Sequence, residues 1–182
     1  MKDRAQAILE TAAQTGVCRT GKRYLKQTPK DTSTLIKLMK AWPEYIQEHP
    51  DSALAIFREN MTDDLQAQLV AANIFIDYQG EATVGSDTAV IVMGGSRITI
   101  TTAPFAVTKI YLFNSTQAVI KPGDNSIIDL EAWNGSQAVI SANKTAITKA
   151  HVYNNAEAKG ADTTQHHIHQ RGEVFNGKEN NN

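Results

Sequence analysis

The chain has 182 residues, 41% hydrophobic and 20% charged, with a formal net charge of −1. That suits one compact domain, or a small domain with an appendage. No run of eighteen apolar residues is present to cross a membrane, and the opening MKDRAQAILE lacks the apolar core of a secretory signal. The single cysteine, Cys18, excludes an intramolecular disulfide framework and a cysteine-rich zinc site, and the near-neutral charge argues against wholesale coating of nucleic acid.

The first half reads as helices. Ala5, Ile8, Leu9, Ala12 and Ala13 recur at three-and-four spacing and make one apolar face. A second helical piece runs through Val17–Lys26 and ends before Pro29, since the residue preceding a proline is steered out of the helical region. Asp31-Thr32-Ser33 is an N-cap cluster for the next helix, in which Leu35, Leu38, Met39, Trp42, Tyr45 and Ile46 line one side. Pro43 starts a new helix or kinks this one. Pro50-Asp51-Ser52 restarts helix with Leu54, Ile56 and Phe57 as its apolar positions, and Thr62 caps a last helix through Leu69. A helical domain of about four elements is therefore expected over residues 1–72.

Charge and texture then change. Residues 1–60 carry ten Lys and Arg against seven Asp and Glu, and the remainder carries eight against twelve. From about Ala72, short Val-, Ile- and Thr-rich runs alternate with Gly, Asn and Ser. Set in rows of twenty, Gly94-Gly95-Ser96-Arg97-Ile98-Thr99-Ile100 falls above Asn114-Ser115-Thr116-Gln117-Ala118-Val119-Ile120. Asn134-Gly135-Ser136-Gln137-Ala138-Val139-Ile140 and Asn154-Asn155-Ala156-Glu157-Ala158-Lys159-Gly160 follow without a gap. A fixed period of this length is the mark of a solenoid.

The columns give the geometry. Val90, Ile110, Leu130 and Ala150 align, as do Val92, Leu112, Ala132 and Val152. Ile98, Ala118, Ala138 and Ala158 make a third column, and Ile100, Ile120 and Ile140 a fourth. Alternation places each column on one face of its strand, and stacked rows then form one continuous apolar core. The Gly/Asn column at 94, 114, 134 and 154 marks a corner, because these residues tolerate left-handed backbone. Val107, Ile127 and Ile147 suggest a further wall of the core. The fold class is therefore α+β: a helical subdomain followed by a short β-solenoid, or β-helix, over 73–162, with a polar, flexible tail at 163–182. A β-sandwich is the alternative for the second half; it accounts for the alternation but not for the ungapped rows. Ile74–Tyr78 and Ala82–Val84 read as an irregular first rung.

Functional signals are fewer. Met93, Phe113, Trp133 and Tyr153 form a large apolar column on the outward phase, with Ile91 and Tyr111 two residues earlier. An exposed patch of that kind marks an interface with a protein partner or a second copy, and a homo-oligomer is expected. The alternatives for these side chains are that the helical domain folds back over them, or that sugars stack on them. Lys109, Asp129 and Lys149 form a charge ladder, and Asp129 with Glu131 is the one carboxylate pair a carbohydrate-active β-helix could use.

Gly16-Val17-Cys18-Arg19-Thr20-Gly21-Lys22 matches the first seven positions of a phosphate-binding loop, but Arg23 replaces the magnesium-binding hydroxyl and a helix precedes it where a strand is required. Residues 19–40 hold seven cations, Arg19, Lys22, Arg23 and Lys26 among them, against Asp31 alone, which makes phosphate or nucleic-acid contact an alternative function. His166-His167-Ile168-His169 has metal-binding chemistry, but no carboxylate or thiolate pattern accompanies it, so adventitious binding is expected and no metal, cofactor or catalytic group is assigned.

The order Cys18-Arg19-Thr20-Gly21-Lys22, a Leu-rich helix and then a stacked-strand region resembles small proteins of bacterial prophages and other mobile elements. In those, a short helical head precedes a β-solenoid. The resemblance covers most of the chain, carries no known activity, and implies a phage-associated assembly or adhesion component. Taken together, the sequence predicts a non-enzymatic structural or protein-binding module, cytoplasmic or virion-associated.

Overall fold

A computed structural model describes residues 4–15, 19–160 and 166–170, with residues 15, 19–21, 44 and 166–170 as backbone only. Six helices come first: α1 (Arg4–Thr15), α2 (Arg19–Gln27), α3 (Thr32–Ala41), α4 (Glu44–Glu48), α5 (Pro50–Asn60) and α6 (Asp63–Ala71). The sequence suggested about four, because the proline-delimited α4 is too short to show its own periodicity. The expected caps are in place. Asp31 accepts a hydrogen bond from the Thr34 N–H at 2.8 Å, and the Thr62 hydroxyl accepts one from the Leu65 N–H at 3.3 Å. Pro50 opens α5, where its missing N–H costs nothing, and Asp51 follows in the first turn. Ala5, Ile8, Leu9, Leu35, Met39, Ile46, Leu54 and Phe57 are buried in one cluster.

Among the described residues eleven strands follow, and every pairing among them is parallel. Odd strands form one sheet: β1 (Ile74–Ile76), β3 (Thr88–Met93), β5 (Val107–Leu112), β7 (Ile127–Ala132), β9 (Ile147–Val152) and β11 (His166–Gln170). Even strands form the other: β2 (Gln79–Val84), β4 (Arg97–Thr102), β6 (Gln117–Lys121), β8 (Gln137–Ile140) and β10 (Glu157–Gly160). The chain thus visits the two sheets in turn, one strand each per coil, and this is the expected β-solenoid. The twenty-residue period appears directly in the register, where Ile110 pairs with Leu130 and Leu130 with Ala150. The first coil is shorter, since Ile74 pairs with Ile91 and Gln79 with Arg97.

The four inward columns build the solenoid core; Val90, Ile110, Leu130, Ala150, Val92, Leu112, Ala132 and Val152 are all fully buried. The corner after each odd strand works as its residue types demand. Gly94, Asn114, Asn134 and Asn154 all take positive φ, between 48° and 76°. Two residues on, Ser96, Thr116 and Ser136 are buried, and their hydroxyls must find partners inside. Ser96 Oγ donates to Met93 O at 2.8 Å, Thr116 Oγ1 donates to Phe113 O at 2.8 Å, and Ser136 Oγ accepts from Trp133 N at 3.0 Å. At the N-terminal end Phe75 and Tyr78, ring centroids 5.0 Å apart, close the core together with Val70 of α6.

Two expectations are corrected. Val107, Ile127 and Ile147 are not a wall of the core. Thr108, Ile110 and Leu112 point inward, so alternation turns residue 107 and its equivalents outward; Ala106, Ser126 and Ala146 with Thr108, Ile128 and Thr148 line that corner instead. Residues 166–170, assigned to a flexible tail, form β11, with His167 paired to Lys149 and His169 to His151. Their polar composition hid a strand that the preceding coil templates.

Candidate interaction surfaces

The outward apolar ladder is a contact within the chain. Ile91, Met93, Tyr111, Phe113 and Trp133 are buried in the same cluster as the cores of α1, α3, α5 and α6, and Tyr153 packs at its margin half-buried. The ladder faces away from the solenoid core, as alternation predicts, but Met93, Tyr111, Phe113 and Trp133 are covered by the helical head and do not form the free partner-binding face the sequence predicts. The helices carry an apolar face wider than their own packing uses, and this column covers the surplus. Tyr111 and Phe113 stack at 6.2 Å between centroids, and Trp133 lies on Tyr153 at 3.8 Å. Burial of side chains this large contributes about 1.5–3 kcal/mol each.

Polar contacts fix how the helical head sits. Arg58 of α5 donates Nε and Nη2 to the two Asp77 oxygens, both at 2.7 Å, and the Gly95 N–H donates to Asp77 Oδ1 at 2.7 Å. The Arg58 hydrogen bonds hold the Asp77 carboxyl below the usual carboxylate range; partial burial opposes this and the Gly95 N–H reinforces it. Asn114 Nδ2 donates to Asp51 Oδ1 at 3.1 Å, and Gln47 Nε2 donates to Glu131 Oε2 at 3.2 Å. Glu131 also pairs with Lys109 at 3.1 Å, and the Lys109 ammonium stands 5.0 Å from the Tyr111 ring centroid. Burial alone would lower the Lys109 ammonium, but hydrogen bonding to Tyr111 and Glu131 outweighs it and raises the group above the ordinary lysine value.

What stays open is the opposite end of the same sheet face. Val107, Ile127 and Ile147 are 50%, 46% and 46% exposed and stand on three successive coils. Phe105, at the corner leading into this stripe, is 70% exposed and holds φ at 59°, a left-handed backbone that a bulky residue rarely takes. Lys109, Asp129 and Lys149 flank the stripe two residues further along each strand. The Lys109–Asp129 distance is 3.8 Å, as expected of a loose surface ladder. The outer face of the even-stranded sheet has a shallow groove lined by Arg97, Gln117, Val119, Gln137 and Val139.

The other candidates divide as follows. In α2, Leu25 is buried and Tyr24 meets Trp42 edge-on at 5.2 Å, while Lys22, Arg23 and Lys26 are exposed and Arg19 begins the helix. None of these three side chains forms an ion pair among the described residues. Gly21 and Lys22 are helical and α1 is a helix, so no phosphate-binding loop forms; Gly16, Val17 and Cys18 lie outside the described residues. Asp129 and Glu131 share one face of β7, with Lys109 between them. Among the described side chains no three of His, Cys, Asp and Glu gather as a metal centre needs, and no described helix is long and apolar enough to cross a membrane.

Parallel coils closing a shared core, with helices laid along one corner, define a β-solenoid protein with a helical head. Comparison with protein-family models, with curated proteins and with solved structures finds no match to this chain.

Proposed function

We propose that the protein is a non-enzymatic protein-binding and assembly module, with the solenoid as its rigid platform and the stripe Val107–Ile127–Ile147, led by Phe105, as its contact surface. One observation carries this reading: Val107, Ile127 and Ile147 stand exposed in line on three successive coils with Phe105 at their head, a longer run than the exposed pair Val119 and Val139 on the other sheet. Scattered apolar residues at a surface need no explanation, but an aligned patch marks an interface.

Lysines flank the stripe, so lysine cross-linking with mass spectrometry in the source cells tests the proposal. Intermolecular cross-links are expected from Lys109 and Lys149 and should disappear in an Ile127→Ser/Ile147→Ser variant. Cross-links confined to Lys22 and Lys26 would overturn the stripe as the contact surface.

A further inference from the structure

The last strand of the odd sheet gathers most of the chain's histidines. Of five in all, one is His151 on β9 and three are His166, His167 and His169 on β11. The parallel register pairs His169 with His151 and His167 with Lys149. Thr148, Ala150 and Val152 are buried in the solenoid, so alternation assigns Lys149 and His151 to the outer face of the sheet. His167 and His169 hold the matching outward register positions, while His166 and Ile168 hold the inward ones, opposite Thr148 and Ala150. A His-x-His pair on one strand is thereby set against a histidine on the next.

We infer that positions 151, 167 and 169 form a binding site for one divalent cation of the zinc class, which clips β11 onto β9. Three imidazoles select zinc, nickel or copper over calcium and magnesium, which take oxygen donors. The spacing suits the chemistry: neighbouring strands lie about 4.8 Å apart and alternate residues of one strand about 6.6 Å, within the span of imidazoles converging on one ion. The run 166–169 has no fixed geometry in sequence; the sheet supplies it and adds a third donor from β9. His151 is half-buried, its ring 6.5 Å from that of Tyr153, which itself stacks on Trp133. Asp129 and Glu131, one strand further in, occupy the columns of Lys149 and His151 and favour positive charge nearby. Lys149 opposes His167, but it is exposed on a long stem that lets the ammonium extend into water. A cross-strand clip also suits β11, which ends its sheet and has a polar sequence of low strand propensity.

The test uses the purified full chain, stripped of metal by a chelator, with zinc alone as the probe. Competition against a chromophoric chelator should show one zinc bound per chain. His151→Gln should weaken binding on the order of tenfold or more, whereas His166→Gln and His49→Gln should leave it unchanged. Adventitious chelation by the run 166–169 predicts the reverse, a loss with His166→Gln and none with His151→Gln. That pattern, or no zinc bound at micromolar concentrations, overturns the site. Histidine ring resonances of the wild-type chain give a check that does not depend on how the variants fold. Zinc should shift those of His151, His167 and His169 together, and shifts that leave His151 unmoved overturn the site. Amide exchange along β11 should slow when zinc is added; exchange that stays the same overturns the clip.

Discussion

Asp77 shows how much one side chain carries. It holds positive φ at 50°, bridges the short first turn, and receives donors from α5 and from the Gly95 backbone. A Cβ on Gly94 would collide with its Oδ1 and press on Leu54 of the head, so Gly94 serves space as well as conformation. The folded-state carboxyl is depressed, so its contribution is present above the unfolded carboxylate value, near pH 4, and is lost as pH falls through the lower folded value. Asp77→Asn should lower stability at pH 7 by about 1 kcal/mol, a modest figure because the pair is over a third exposed. Thermal melts from pH 7 to pH 2 should show the difference from wild type closing below pH 4. A constant difference across that range would mean that the charge is not what Asp77 contributes.

At the scale of elements, the aromatic ladder is the joint between two structures with different periodicities. Trp133 is 3% exposed, stacks on Tyr153 and accounts for the far end of the joint. Trp133→Ala should cost about 3–5 kcal/mol by urea denaturation, the range for deleting a large buried side chain. A loss below 1 kcal/mol would show that the head is held elsewhere.

This joint also marks the limit of what the sequence discloses. The coil period, the Gly/Asn corners and the inward columns are legible because each repeats in register, and a repeat averages out local noise. The outward phase of Phe113 and Trp133 is legible for the same reason. That the helical head covers them is not, because an amphipathic helix announces an apolar face without naming what it packs on. Alternation alone turns Val107, Ile127 and Ile147 outward, but β-branched residues recurring on three coils read equally well as a core column. β11 was invisible because His166–Gln170 has little strand character of its own and takes its conformation from β9.

For the molecule as a whole, the regular register has a consequence for length. Joining Trp133 to Asn154 removes residues 134–153, one full coil, and keeps every inward column and corner in phase, with Ala156 taking the place of Ser136. That deletion should fold cooperatively and shorten the particle by roughly 4.8 Å in solution scattering. Removing nineteen residues instead inverts the faces of everything beyond the cut and should leave the distal strands unfolded. Equal stability of the two deletions would refute the shared-column account of the core. The protein can therefore change its size only in whole steps, as a stack of coins can. Duplication or loss of a single twenty-residue unit is the small genetic event to which this architecture is most tolerant. The head is bound to the first few coils, so reach can evolve at one end while the joint at the other stays untouched.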